Sequence, residues 1–280
     1  MVTVLSGCLA RMARVRVTLC YAAVVAAVTA VMVDMTPHVQ AAVIRHMSTN
    51  LHNLSHGRIA TLVGSAFVVD AGPLYLWLPG LICLLAVAEL AWGSGPLAIA
   101  TVLGHVGASL LVAAGLTVAV TFGWIARSVA HDPDVGMSYV AMGALGVLTG
   151  AMPPRWRASW AVWWITVALV VIAGGPDFTD VGHPLALALG MMASLRSGKA
   201  RSWTAPMVLL LAIGAAFGFV VLAGGAVSMV SCAVWGAFGA LVCLGCARLT
   251  RQNSSADAAS QSGSHDSGGS SNSWPGRSQS

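Results

Sequence analysis

Four side chains able to do chemistry stand inside an otherwise apolar sequence: Glu89, His105, Ser138 and His183. Ser138 lies in Asp134-Val-Gly-Met-Ser-Tyr139, and His183 lies in Asp180-Val-Gly-His-Pro184. A serine becomes a nucleophile when a base takes its proton, and histidine is the usual base. Ser138 follows its aspartate by four residues and His183 by three. At 1.5 Å per residue, both side chains fall about 5 Å into the helices they open, at one depth. On spacing alone a plainer reading competes: a serine bonded to its own helix and a histidine capping another at the interface.

The elements that must position these residues follow from composition. Of the 280 residues, 57% are hydrophobic and 8% charged, and mean hydropathy is +0.81. A soluble domain carries roughly 25% charged residues, so a water-soluble globule is excluded. The net charge of +5 is no nucleic-acid signal, because the basic residues are scattered among apolar runs. A membrane-spanning helix needs about 20 apolar residues. Candidate spans lie at 17–34, 74–92, 97–122, 135–152, 157–174, 181–195, 205–224 and 227–247. The last two form one run that as a single helix would reach about 60 Å, twice a bilayer core, so a turn is expected at Gly224-Gly225. The apolar stretch after Arg11, Arg14 and Arg16 lacks a clean small-x-small cleavage site and reads as a retained first span.

Charge sets the expected orientation. With the N-terminus inside, the inner face receives Arg11, Arg14, Arg16, Arg155, Arg157, Arg196, Lys199, Arg201, Arg248, Arg251 and Arg277, against Arg45, Arg58 and Arg127 outside. The acids Asp34, Asp70, Asp132, Asp134, Asp177 and Asp180 fall outside. Residues 35–73 form a long outer loop too apolar to be plainly solvated, for which short interfacial helices are expected. Its His38, His46, His52 and His56 match no standard ligand spacing and read as loop histidines. Cys243-x-x-Cys246 lacks two further ligands, and the six cysteines read as small membrane residues. From residue 252 the chain is Ser/Gly-rich and expected to be disordered.

Span four carries Gly136, Gly143, Gly146 and Gly150, and span six carries Gly182, Ala186 and Gly190. Small residues let membrane helices approach closely. Such packing would bring Ser138 within reach of His183.

These motifs resemble the rhomboid intramembrane serine proteases. That family opens its fourth core span with GxSG and later glycines, as Gly136-Met-Ser138 with Gly143 and Gly146 do here. Its sixth span has a histidine with small residues at +3 and +7, here His183, Ala186 and Gly190. Its second span ends in a pattern like ExxxGSG, here Glu89-Leu-Ala-Trp-Gly93-Ser94-Gly95. The resemblance covers about residues 17–195. It implies a Ser138–His183 dyad, a structural role for Glu89, no metal and no cofactor. Tyr139 replaces the glycine after the nucleophile. The family's HxxxN oxyanion donors fall near Tyr75 and Pro79, so the oxyanion candidates are the Ser138 backbone N–H and the Tyr75 hydroxyl. His105 reads as a hydrogen-bonded structural histidine, against a transporter's proton relay.

The expected fold is an all-α polytopic membrane bundle. A rhomboid-like six-helix core at 1–195 is followed by about two extra transmembrane helices at 196–251 and a cytoplasmic tail at 252–280. The expected function is intramembrane proteolysis of membrane-anchored proteins in the cell membrane, with both termini cytoplasmic. The alternative is an inactive rhomboid-like protein that binds membrane clients. A transporter is the third reading.

Overall fold

A computed structural model describes residues 12–69, 74–174, 178–196, 200–224 and 229–265, with the side chains of 74–76, 178–179 and 251–265 outside that description. The described residues form helices and no strands. The chain is a polytopic helical membrane bundle. Helix α1 spans Arg16–Val33. The outer loop contributes α2 (Pro37–Met47), α3 (Leu51–Ser55) and α4 (Thr61–Gly64), matching the expectation of short helices there. Then follow α5 (Leu74–Trp92), α6 (Ser94–Val102), a π-helical turn at Leu103–Gly107, and α7 (Ala108–Thr121). Helices α8 (Ser138–Ala151), α9 (Pro154–Ala173), α10 (Phe178–Arg196), α11 (Ala205–Ala223) and α12 (Met229–His265) complete the order.

Every expected span has a helix. Among the described residues, five segments are long and apolar enough to cross a membrane: Ala13–Val33, Ser94–Thr121, Pro154–Ala173, Ala205–Ala223 and Met229–Thr250. Trp77–Trp92 and Ser138–Ala151 are shorter apolar helices. Helix α8 is short because it is the core: Tyr139 through Thr149 are all buried. A helix apolar on all sides belongs inside a bundle, and α5, α6, α10 and α11 pack around it. Its closest neighbour is α10. A Cβ added at Gly146 would meet the Leu187 carbonyl oxygen, with Met191 N at 2.8 Å, and one at Gly190 would meet the Gly143 carbonyl oxygen. These are the glycines expected to join spans four and six, and Gly150 adds a contact to Ser194 Cβ at 2.9 Å. Gly143 also serves α6 and the π-helical turn, since its Cβ would lie 2.6 Å from the Ala100 carbonyl oxygen and 2.9 Å from Gly104 Cα.

The C-terminal helices use the same device on the outside. Gly214 of α11 approaches Leu84 of α5, and Gly236 and Gly239 of α12 approach Trp163 and Thr166 of α9. The turn between α11 and α12 begins at Gly224, and residue 225 lies outside the described residues. Helix α12 runs on to His265, past residue 252, where composition alone predicts disorder. Extending a helix avoids the cost of nucleating one, and residues 252–265 contain no proline. Residues 266–280 lie outside the described residues. In the outer loop, His52 stacks on His131 with ring centroids 4.5 Å apart, and the His56 ring lies tilted against it at 4.3 Å. Desolvation and the neighbouring His56, His131 and Arg58 hold the His52 imidazole below its ordinary pKa.

Glu89 is 0% exposed at the end of α5. Its carboxylate accepts hydrogen bonds from the backbone N–H groups of Val17 (3.0 Å) and Thr18 (2.9 Å), and from the hydroxyls of Thr18 (2.7 Å) and Ser94 (2.7 Å). Val17 and Thr18 lie in the first turn of α1, whose N–H groups have no partner within the helix. The carboxylate therefore caps one span from the end of another, where the helix dipole favours negative charge. Gly93 turns the chain next to it with φ +88° and donates its N–H to Glu89 O at 2.7 Å. Glu89→Ala would strand these donors, and each buried unsatisfied group costs about 1–3 kcal/mol. The expected loss is about 3 kcal/mol or more, read as a lower melting temperature in detergent, with Glu89→Gln intermediate. Unchanged melting for the alanine variant would remove the capping role.

Candidate active site

Ser138 is the first residue of α8. The backbone reaches it through Gly136 at φ +125°, a conformation L side chains rarely adopt. That is the local reason for a glycine two residues before the serine. The turn is pinned from the outer loop. Gly136 N donates to Ser65 O at 2.9 Å, Thr49 N to Asp134 O at 2.9 Å, and Asp134 N to Ser48 Oγ at 2.7 Å. Ser65 Oγ in turn bonds His105 Nε2 at 3.0 Å, with both residues buried. His105 thus has the hydrogen bond expected of a structural histidine. It sits in the π-helical turn, a local insertion that places its side chain under the outer loop.

His183 lies in the second turn of α10, and Asp180 precedes it by one turn. Tyr139 occupies the space between the two helices. Its ring meets the His183 ring edge-on, centroids 5.5 Å apart at 85°. A Cβ at Gly182 would lie 2.7 Å from Tyr139 Cε1, so the bulky residue after Ser138 is matched by a missing side chain on α10. Burial pushes the Asp134 carboxyl up to about 7, against the opposing influence of Tyr139.

Ser138, His183 and Asp180 line one cavity of about 390 Å³. The α5 wall contributes Trp77, and the α11 wall contributes Phe217, Val220 and Val221. No hydrogen bond joins Ser138 to His183 among the described residues, and His183 Nδ1 is buried without a partner there. Glu89 lies at the other end of the bundle from this cavity, at the far end of α5. No group of three or more metal-ligating side chains occurs among the described residues.

A sequence model of the rhomboid-like protein family matches residues 11–202. The chain belongs to the rhomboid-like family. The match takes in α1 through α10 and stops before α11. No curated protein and no solved structure gives a match. The rhomboid-like core thus holds Ser138, His183 and Glu89, while α11 and α12 lie beyond the matched segment.

Two contributors to the cavity are not evident from the sequence motifs. Trp77 stands on its wall, whereas the family pattern puts the oxyanion positions near Tyr75 and Pro79. Pro79 is exposed, and the Tyr75 side chain lies outside the described residues. Helical periodicity holds the signal: Trp77 shares a face with the fully buried Leu81 and Leu84, at +4 and +7. The second contributor is α11, which by sequence is only an appended span. Phe217 packs edge-on against Trp77, centroids 5.9 Å apart, and against Gly80. Nothing in the local sequence of α11 announces that contact.

Proposed function

We propose that this rhomboid-like protein is an intramembrane serine protease that cleaves membrane-anchored proteins, with Ser138 as nucleophile and His183 as general base. One observation carries the reading: both side chains line a single cavity, on two helices locked together through Gly146 and Gly190. Ser138 Oγ attacks the scissile carbonyl carbon as His183 takes its proton. The tetrahedral intermediate collapses, the peptide C–N bond breaks, and His183 returns the proton to the leaving amine. A water, activated by the same histidine, then hydrolyses the acyl-serine. Ser138 opens its helix, so its backbone N–H has no carbonyl partner within the helix and is free to meet the oxyanion. Tyr75 is the proposed second donor. No metal or cofactor is needed in this scheme. Catalytic hydrogen bonds often tighten only when substrate binds, which accommodates the missing Ser138–His183 bond.

The test is covalent labelling of the full-length protein in detergent with a serine-directed fluorophosphonate. Labelling lost in Ser138→Ala supports the reading. An unlabelled wild type, or equal labelling of the variant, defeats it. A second reading is a non-catalytic rhomboid-like protein that binds membrane clients. The unbonded Ser138 and His183 favour it, and in that case client capture survives Ser138→Ala.

The proposed orientation places both chain termini and the Arg155/Arg157 turn in the cytoplasm of a cell-membrane protein, following the distribution of basic residues. Single cysteines at Asp177 and Ser260, in a cysteine-free background, are expected to react with impermeant maleimide from opposite sides. Reaction from one side would overturn the orientation.

A further inference from the structure

At the other end of α8 from Ser138 lies a cavity of about 810 Å³, lined by Arg157 and Arg201 together with Trp92 and Trp203. Both arginines are exposed yet anchored to backbone carbonyls through one terminal nitrogen each. Arg157 Nη2 donates to the Gly150 carbonyl at 2.9 Å and to the Met152 carbonyl at 3.3 Å, and Arg201 Nη1 donates to the Leu90 carbonyl at 3.4 Å. A guanidinium has five N–H donors, so each keeps most of them for a ligand. The indole N–H groups are used inward, Trp92 to Val147 O at 3.0 Å and Trp203 to Ala151 O at 2.8 Å. That leaves two aromatic faces at a membrane–water boundary, where tryptophan is enriched. Thr149 also lines the cavity. It is 9% exposed, and its hydroxyl has no partner among the described residues. Among the described residues, no Asp or Glu lines the space.

Beside the cavity, Met192 and Leu195 also line a second space of about 690 Å³, whose other walls include Ile99, Leu103, Leu189 and, at its edge, Arg196. A basic mouth thus adjoins a mostly apolar groove along α6 and α10, with Arg196 as its one charged lining residue among the described residues. The geometry points to a binding site for an anionic phospholipid, its phosphate between Arg157 and Arg201 and an acyl chain in the groove past Met192 and Leu195. A free phosphate would leave the groove empty, and a zwitterionic lipid would leave the uncompensated arginine charge. Basic pockets between membrane helices are a recurrent solution for anionic headgroups. The assignment does not depend on whether Ser138 is a nucleophile.

The test is native mass spectrometry of the full-length protein in neutral detergent, titrated with dioleoylphosphatidylglycerol, dioleoylphosphatidylcholine or glycerol 3-phosphate. Each basic residue near a headgroup is worth about fivefold in affinity. The phosphatidylglycerol preference over phosphatidylcholine is therefore expected to exceed about tenfold and to vanish in Arg157→Gln/Arg201→Gln. Arg201→Gln alone lowers it about fivefold, which keeps the test open if the double variant fails to fold. Met192→Trp, which fills the groove, weakens both lipids alike. Arg155→Gln, whose guanidinium lies over the Trp156 ring outside this cavity, leaves the preference intact. Binding of glycerol 3-phosphate as tight as that of phosphatidylglycerol would make this a free-anion site. Equal affinity for the two lipids, or an equal loss in Arg155→Gln, would reduce it to general surface charge. Any of these outcomes overturns the assignment.

Discussion

Ser138→Ala and His183→Ala are each expected to abolish cleavage of a membrane-anchored substrate while leaving protein abundance unchanged. The size of the loss follows from how a dyad works. Without Ser138 no acyl intermediate forms, and without His183 the hydroxyl keeps its proton. Removal of either member of such a unit costs roughly 10⁴- to 10⁶-fold in kcat. The two act together, so the double variant should be no slower than either single one. Tyr75→Phe should cost less, about 10²–10³-fold if its hydroxyl holds the oxyanion, and nothing if the Ser138 N–H acts alone. Initial-rate measurements in proteoliposomes decide this. Full activity in either alanine variant would shift the chemistry elsewhere, and wild-type inactivity beside retained client binding would favour the non-catalytic reading.

Gly146→Leu is expected to be among the most damaging substitutions in the chain. Even a Cβ at this position would meet the Leu187 carbonyl oxygen, with Gly190 C at 2.9 Å. These are backbone atoms of α10 and cannot turn aside as a side chain would. Overpacking that side chains can absorb costs about 1–3 kcal/mol, so a clash with backbone should reach about 3 kcal/mol or more. Gly190→Leu should behave alike, because its Cβ would meet the Gly143 carbonyl oxygen. Gly115→Leu is the control, since nothing lies within 4 Å of a Cβ there. Thermal unfolding in detergent and yield of monodisperse protein give the readout. A Gly146→Leu protein that melts like the Gly115→Leu control would show that α8 and α10 do not touch at this point. The shared cavity of Ser138 and His183 would go with it.

The sequence by itself determined the helical membrane class, the order of the spans and the places where helices meet closely. Each has a local cause. A span must be apolar over a bilayer's width, because lipid offers its backbone no hydrogen bonds, so 57% hydrophobic content with few charges leaves little choice. Close packing between membrane helices needs small residues at helical spacing, so Gly143, Gly146, Gly150 and Gly190 mark their contact by residue type and position alone. The structural role of Glu89 followed from the likeness of Glu89-Leu-Ala-Trp-Gly93-Ser94-Gly95 to the family's pattern.

Only the tertiary structure decided which groups share a space. It set Trp77 rather than Pro79 on the cavity wall, because the rotation of α5 is fixed by packing Leu81 and Leu84 inward and by Phe217 against Gly80. It brought α11, beyond the segment matched to the family, into the wall beside Ser138. It tied His105 to Ser65 across 40 residues and stacked His52 on His131. It also joined Arg157, at the start of α9, and Arg201, just before α11, to one cavity. An apolar helix reads nearly the same from every side, as uniformly hydrophobic α11 does. Lipid and protein neighbours then impose the same residue types, and composition cannot tell one from the other. The partner of each face is settled by shape, through the fit of a phenylalanine to a glycine or a tyrosine to a missing Cβ, and shape exists only once the helices are packed.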